Sequence, residues 1–344
     1  MNQINHKYCR FILVSLLMLF IPFYKLTAQN IVSKSDINPE DIFRVEWVKS
    51  WPSKDSKKNS RRFEDKLNSF LFGIKTPELR NPVSVLATNP DNFLILDQGN
   101  QTLLQIHKGV GDIPHQILKS GFDFSSLVGI CYGPNSSIYF TDSKSQKIYR
   151  FSTGEKKLYI QNDSLLLEQP TGIAFSKFKK EIWVVETKAH RISVLDDKGK
   201  LIKRVGTRGT SPGQFNYPTH ISIDKKGNIY IVDSMNFRIQ VFNPEGKVIS
   251  VFGEAGDATG FMARPKGIAT DSFGNIYIAD ALFHAIQVFD LKGKFLYSFG
   301  NQGHGNGEFW MPNGIFIDDQ NNIYVADTYN SRIQIFQLIH KDIK

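Results

Sequence analysis

The sequence predicts an all-β fold, a six-bladed β-propeller made of four-stranded antiparallel blades. Three observations lead to this prediction: a unit of four short strands, the recurrence of that unit, and acidic residues that mark its phase at nearly constant spacing. Four antiparallel strands in a meander form one propeller blade. Since each unit can bury its faces only against its neighbours, the repeats are expected to form a ring.

The clearest copy of the unit spans residues 218–252. The turn sequences KKGN and NPEG separate runs of alternating apolar residues, and their glycines reach positive φ easily. The alternation predicts four strands, at His220–Asp224, Ile229–Asp233, Arg238–Phe242 and Val248–Phe252.

Five further copies begin at residues 82, 127, 170, 265 and 312. An acidic residue ends the second strand of every copy, at Asp97, Asp142, Glu186, Asp233, Asp280 and Asp327. Their spacings of 45, 44, 47, 47 and 47 residues are typical of propeller blades. The chain therefore contains six blades.

The sixth copy ends after its third strand, which would leave sheet edges exposed in an open ring. The stretch IFRVEWV at residues 42–48 alternates apolar and polar side chains before the first blade. We expect this N-terminal strand to pair beside Arg332–Phe336 and to close the ring.

Residues 1–28 are typical of a secretory signal peptide. Lys7 and Arg10 precede an apolar run of 14 residues, Phe11–Tyr24, which is shorter than the roughly 20 residues of a membrane helix. Cleavage is expected after Ala28, and an uncleaved anchor is the alternative. The prediction is an exported protein, periplasmic or secreted, with no stable membrane span in the mature chain.

The other segments have distinct compositions. The sequence divides into an N-terminal segment at 29–51, a basic loop and short helix at 52–81, the propeller at 82–338 and a tail at 339–344. The expected helix carries apolar residues on one face, with a cap at each end: Phe63, Leu67, Phe70 and Leu71, capped by Ser60 and Gly73. It is expected to pack on the propeller, with partner binding as the alternative.

The formal charge of +9 falls to 9 − 3 = +6 without the three basic residues of the signal. Residues 49–66 carry seven basic and three acidic side chains, 7 − 3 = +4, so most of the excess lies in one loop. This distribution does not favour a nucleic-acid partner. Cys131 is the only cysteine after the signal, which excludes an intramolecular disulfide and favours a small buried residue. We expect a monomer.

Several recurring motifs resemble the NHL repeat. They are Pro-x-Gly-Ile, Gly-Asn-Ile-Tyr-x-x-Asp, Asn-x-Arg-Ile-Gln-x-Phe and a linker Gly-x-Phe-x-x-Pro. The match covers residues 82–338 and is strongest from 170 onward; its Asp-x-x-Asn-x-Arg core falls on Asp233, Asn236 and Arg238. The resemblance implies the propeller fold and no particular activity.

The recurring acids favour a structural interpretation. Asp233 lies where the second strand enters its loop, so its carboxylate can accept loop N–H bonds and pair with Arg238. Because the trait recurs in every blade, a role in maintaining the blades is more economical than six active sites. Phe215 and Phe309 of the linkers are expected to wedge between blades.

Enzymatic alternatives rest on few residues. The resemblance extends to peptidyl-hydroxyglycine amidating lyases, which hold zinc with inner-strand histidines, and the matching positions here contain one histidine, His220. Catalytic zinc normally has three protein ligands, so His220 is a weak candidate for metal and no cofactor is predicted. A calcium-dependent lactonase would need several oxygen ligands at the starts of the inner strands. Among these positions only Asn313 suits a calcium ion, and the positive charge of Lys266 would repel one. No Gly-x-Ser-x-Gly nucleophile motif is present.

The predicted function is therefore non-enzymatic binding of a protein, peptide or glycan through one face, with a metal-dependent lyase or hydrolase at the central channel as the alternative. Loops between strands two and three, and between blades, carry aromatic and Met side chains that suit a contact surface. The candidate ligand-binding residues are His220, Met235, Phe237, Phe283, His284, Tyr329 and Trp310. Packing of Phe237 and Phe283 on neighbouring blades is the alternative for these two.

Overall fold

Strands account for nearly all regular structure in the computed structural model, which describes residues 43–52, 78–107, 115–117, 123–162 and 164–340. Within these ranges, strands β1 to β24 form six four-stranded antiparallel sheets. The six-bladed propeller predicted from the repeats is confirmed. The predicted signal peptide and the expected helix at residues 60–73 lie outside the described residues.

Five blades are continuous in sequence. Blade 1 contains β2–β5, at Pro82–Asn89, Asn92–Asp97, Thr102–His107 and His115–Gln116. Blade 2 contains β6–β9, at Leu127–Tyr132, Ile138–Asp142, Lys147–Ser152 and Lys157–Ile160. Blade 3 contains β10–β13, at Pro170–Ser176, Glu181–Glu186, Arg191–Asp196 and Leu201–Val205. Blade 4 contains β14–β17, at Pro218–Ile223, Ile229–Asp233, Arg238–Phe242 and Val248–Phe252. Blade 5 contains β18–β21, at Pro265–Thr270, Ile276–Asp280, Ala285–Phe289 and Phe295–Phe299.

Blade 6 combines the two ends of the propeller. Its inner strands β22, β23 and β24 cover Pro312–Ile317, Asn322–Asp327 and Arg332–His340. The outer strand is β1, Phe43–Trp51, which runs antiparallel to β24. The register pairs Phe43 with His340 and Trp51 with Ile333, with a bulge between Trp47 and Lys49. A strand from the N-terminal side thus occupies the edge that the incomplete sixth repeat leaves open.

The core lies between blades. The second strands are buried along their whole length in blades 4, 5 and 6, because both faces of each sheet pack on neighbours. Six apolar clusters occur among the described residues, and each joins two adjacent blades. Phe215 and Phe309 are fully buried in two of them, as expected for wedges between blades. This is the nearest-neighbour packing of a repeat protein.

Three short 3₁₀ turns, Pro134–Ser136, Ser234–Asn236 and Thr328–Asn330, complete the regular structure of these ranges. No helix in the described part of the chain has the length and apolar character needed to cross a membrane.

Candidate functional site

The recurring acids fasten each blade to the linker that precedes it. Asp233 is fully buried and accepts hydrogen bonds from Asn216 N at 2.7 Å and Arg238 Nε at 2.8 Å. The Arg238 guanidinium also donates hydrogen bonds from Nη2 to the carbonyl oxygens of Ser211 and Gln214, at 3.1 and 3.0 Å. These carboxylates are saturated by the fold, which agrees with the structural interpretation.

Blade 3 and blade 5 vary this arrangement. In blade 3 the acid is Glu186; burial opposes its charge, but hydrogen bonds from Arg191 and Ser193 outweigh burial and lower its pKa. In blade 5 Ala285 stands at the arginine position, and burial raises the pKa of Asp280 despite hydrogen bonds from backbone N–H groups. The pKa of the recurring acid is therefore shifted in opposite directions in blades 3 and 5.

A cavity of about 1600 Å³ lies on the ring axis. Residues from the inner strands of all six blades line it, together with the turns that join strands one and two. Most of the lining side chains near the axis are apolar, among them Leu86, Ile173, Ile221 and Phe316. The cavity thus opens at the strand one–two end of the ring. This end is opposite the loops that the sequence analysis favoured.

Glycines occupy four of the six matching positions on the inner strands, and three of them, Gly129, Gly172 and Gly314, line the cavity. A Cβ atom on Gly172 would lie 2.8 Å from the Thr219 carbonyl oxygen, and one on Gly314 would lie 2.4 Å from the Val83 carbonyl oxygen. Gly129 and Gly267 meet the next blade equally closely. The inner strands can therefore approach one another only without side chains at these positions.

His220 occupies the corresponding position of blade 4 and lines the cavity. The residue is half-buried, but both ring nitrogens are inaccessible and have no hydrogen-bond partner among the described residues. Burial, and secondarily the charge of Lys266, lowers the pKa of His220 to about 3. The imidazole is consequently neutral at physiological pH, and its accessible surface belongs to its other atoms.

The described residues around His220 do not supply the further ligands that a metal ion would need. Lys266, on the adjacent inner strand, has a pKa lowered by burial and by Arg264, and its charge opposes a cation beside His220. In the ranges listed for the fold above, no group of three His, Cys, Asp or Glu side chains is arranged to hold a metal ion.

The cavity also contains three aspartates that are saturated. Asp271 accepts hydrogen bonds from Asn275 N, Asn275 Nδ2 and the Tyr277 hydroxyl at 2.8, 2.8 and 3.1 Å. Asp224 and Asp318 repeat the pattern in blades 4 and 6. These carboxylates stabilise their turns and are not free for a ligand.

The remaining predicted binding residues lie at the other end of the ring. Met235, Tyr329 and Trp310 are exposed, and the rings of Trp310 and Tyr329 are 5.9 Å apart. Phe237 is half-buried and packs on the core between blades 4 and 5, which is its structural alternative.

Phe283 is half-buried, and His284 accepts a hydrogen bond at Nδ1 from Met311 N at 3.1 Å. The structure places His220 in the axial cavity and the other six candidates on the opposite face.

Sequence reasoning did not identify the cavity or its turns. The available signal was the departure of the strand one–two turns from the repeat, as in SKFKKE of blade 3 against DSFGN of blade 5. Cys131 was expected to be buried; it is half-buried and lines the cavity, where burial raises the pKa of its thiol.

Fold and cavity together define a six-bladed propeller with an axial pocket between its inner strands. The family model DUF5128, described as a 6-bladed beta-propeller, matches residues 135–252 and 262–342, and the chain belongs to this family.

Solved structures with the same fold have diverse activities. An auxiliary nutrient binding protein from Bacteroides thetaiotaomicron is 14% identical, with 76% of this chain and 70% of that chain covered and a TM-score of 0.61. A streptogramin B lyase is 17% identical, with coverages of 74% and 78% and a TM-score of 0.55. Virginiamycin B lyase from Staphylococcus aureus is 14% identical, with coverages of 86% and 100% and a TM-score of 0.55. Similarity at this level shows the fold alone.

Proposed function

We propose that the protein is an exported, NHL-type binding protein that holds its ligand in the axial cavity without catalysing a reaction. The observation that carries the proposal is the cavity itself. Its volume of about 1600 Å³ exceeds the roughly 300–1,000 Å³ of common small-molecule sites. It is therefore large enough for several units of a peptide or glycan, or for a protruding protein segment. An auxiliary nutrient binding protein is built on the same fold, so the scaffold is compatible with a binding function.

The proposal moves the ligand from the aromatic loops to the opposite end of the ring. The aromatic loops present Trp310 and Tyr329 as an exposed pair of rings, whereas the axial cavity provides a concave site. The cavity surrounds a ligand with the inner strands of all six blades, and burial against their apolar side chains favours binding there.

The test uses a variant that fills the cavity. Ser222 is half-buried and lines the cavity, so Ser222→Trp adds a bulky indole at the cavity wall. Ser298→Trp, on the exposed outer strand of blade 5, is the matched control. Ligands are first identified by probing peptide and glycan arrays with the mature chain, residues 29–344. Ser222→Trp is expected to abolish their binding, and Ser298→Trp to preserve it.

A variant of the aromatic loops tests the alternative binding face. Trp310→Ala with Tyr329→Ala removes the exposed aromatic pair and is expected to leave array binding unchanged. Loss of binding in this double variant, with retention in Ser222→Trp, would overturn the cavity assignment and restore the loop face.

A lyase is the second candidate, favoured by one observation: the unpartnered ring nitrogens of His220 beside the cavity. The fold is shared with two lyases. Liquid chromatography of each array ligand after incubation separates the candidates. Recovery of the unchanged ligand supports binding, whereas conversion that disappears in His220→Ala assigns catalysis.

A further inference from the structure

Charged side chains are unevenly distributed around the mouth of the axial cavity: the lysines lie on blades 2, 3 and 4, and three of the four aspartates lie on blades 5 and 6. Four lysines line the cavity, all from blades 2, 3 and 4: Lys156, Lys177, Lys225 and Lys226. The lining acids are Asp224, Asp271, Asp318 and Asp319, of which the first three are saturated by their own turns. Asp319 differs from these three because its carboxylate forms an ion pair with one of the lining lysines, Lys225.

Asp319 reaches across the mouth from blade 6 to blade 4. Its carboxylate lies 2.8 Å from Lys225 Nζ, and the two side chains are 87% and 71% exposed. The hydrogen bond and charge of Lys225, with a smaller effect of Lys177 from the opposite blade, lower the pKa of Asp319. Ion pairs this exposed contribute little to stability, so a competing anion can replace the carboxylate readily.

Apolar side chains complete the mouth. Phe178 is 81% exposed beside Lys177, and Leu291 is 47% exposed on blade 5, away from the lysines. Below them most of the side chains on the inner strands that line the cavity are apolar. The entrance therefore combines a cationic side with an apolar interior.

We propose that the cavity takes an anionic ligand with an apolar body, whose acidic group displaces Asp319 from Lys225 and lies between Lys225 and Lys177. This inference rests on the proposed function, because it names the chemistry of the ligand that the cavity holds. Asp319 occupies the position of the ligand anion in the empty protein. Its displacement makes the mouth selective for acids over neutral molecules of the same shape.

The experiment uses 8-anilinonaphthalene-1-sulfonate, an anionic apolar dye, in fluorescence titrations of the mature chain. Lys177→Gln with Lys225→Gln is expected to weaken dye binding roughly five- to thirtyfold, as for the loss of two exposed charges near the anion. Lys198→Gln with Lys200→Gln removes two exposed lysines that do not line the cavity and is expected to leave binding unchanged.

Asp319→Asn is expected to change the affinity for the dye in the opposite direction. Removal of the competing carboxylate is expected to tighten dye binding by about two- to fivefold, because Lys225 is then free. Because this dye also binds partly unfolded protein, tighter binding counts only if Asp319→Asn keeps the far-ultraviolet circular dichroism and the urea midpoint of the native protein. Weaker or unchanged binding in Asp319→Asn would overturn the proposal.

Displacement of the dye by decanoate and by decan-1-ol tests the anion site separately from the binding function of the cavity. Stronger displacement by decanoate, abolished together with dye binding in Ser222→Trp, supports the anion site. Equal displacement by both compounds overturns the anion site and leaves the binding cavity intact. Dye binding that persists in Ser222→Trp places the dye elsewhere and overturns both.

Discussion

Arg191→Met in blade 3 tests whether the buried acids are structural. Glu186 is completely buried and receives two hydrogen bonds from the Arg191 guanidinium, from Nε at 2.8 Å and from Nη2 at 3.1 Å. Methionine retains the apolar stem but removes both donors and the positive charge. The Glu168 N–H and the Ser193 hydroxyl, at 2.8 and 2.5 Å, remain.

The structure sets the size of the expected effect. Breaking a fully buried ion pair typically costs about 3–5 kcal/mol, because the remaining charge is left in the protein interior. The Arg191 side chain is 24% exposed, and Arg204 Nε lies 3.8 Å from the same carboxylate, so part of the charge stays compensated. We therefore expect a loss of about 2–3 kcal/mol in the free energy of unfolding at pH 7.

The loss should also depend on pH. In the native protein the pKa of Glu186 is lowered, so its stabilising contribution is present above the unfolded pKa of about 4.3 and is lost as the pH falls through the folded pKa. Without Arg191, burial opposes the charge and raises the folded pKa above the unfolded value. The resulting penalty exists at neutral pH and vanishes on acidification. The difference between native protein and variant is thus largest near pH 7 and shrinks toward pH 4.

Urea unfolding followed by far-ultraviolet circular dichroism at pH 7, 5.5 and 4 measures both quantities. Arg204→Met is the matched control: it removes a charge near the same carboxylate, but Arg204 is 40% exposed and should cost less than about 1 kcal/mol. A loss below about 1 kcal/mol in Arg191→Met, or a loss that is equal at all three pH values, would refute the structural role of this pair.

Three further predictions follow from the ring. Gly172→Ala places a Cβ 2.8 Å from backbone atoms of the next blade and should cost about 1–3 kcal/mol in urea unfolding, whereas Gly154→Ala, which meets nothing within 4 Å, should be neutral. Deletion of residues 29–50 removes most of the outer strand of blade 6 and should cause unfolding or aggregation on gel filtration; an unchanged melting curve would contradict the closure role. Cys131 should react slowly with Ellman's reagent at pH 8 and rapidly in urea, because burial raises the pKa of its thiol; fast reaction of the native protein would contradict this.

The sequence predicts the fold well because the fold repeats. Six acids at a near-constant spacing mark the blades, and the contacts of Asp233 with the preceding linker explain why an acid is needed there. The N-terminal strand was placed beside the third strand of the last blade, because an incomplete repeat leaves a sheet edge that another strand can cover.

The candidate site was less predictable, because the repeat contains no signal for it. His220 was singled out as the only imidazole at its position, and the structure does place it at the cavity. The lysines of the mouth come from turns of different blades, and their proximity depends on the closed ring. The ion pair between Lys225 and Asp319 joins residues 94 positions apart on blades that are not adjacent, so no local pattern indicates it.

The two ends of the ring are under different constraints, which explains why the ligand is assigned to the less regular end. At one end a buried carboxylate of each blade binds the preceding linker, so the backbone there is fixed by the same residues that hold the blades together. At the other end the strand one–two turns of blades 4, 5 and 6 are stabilised by bonds within each turn. In the corresponding turn of blade 3, Ser176 Oγ accepts a hydrogen bond from Lys179 N at 3.3 Å, and the side chains of Lys177 and Phe178 are exposed. A binding site built there is free to differ among propellers that share the same scaffold.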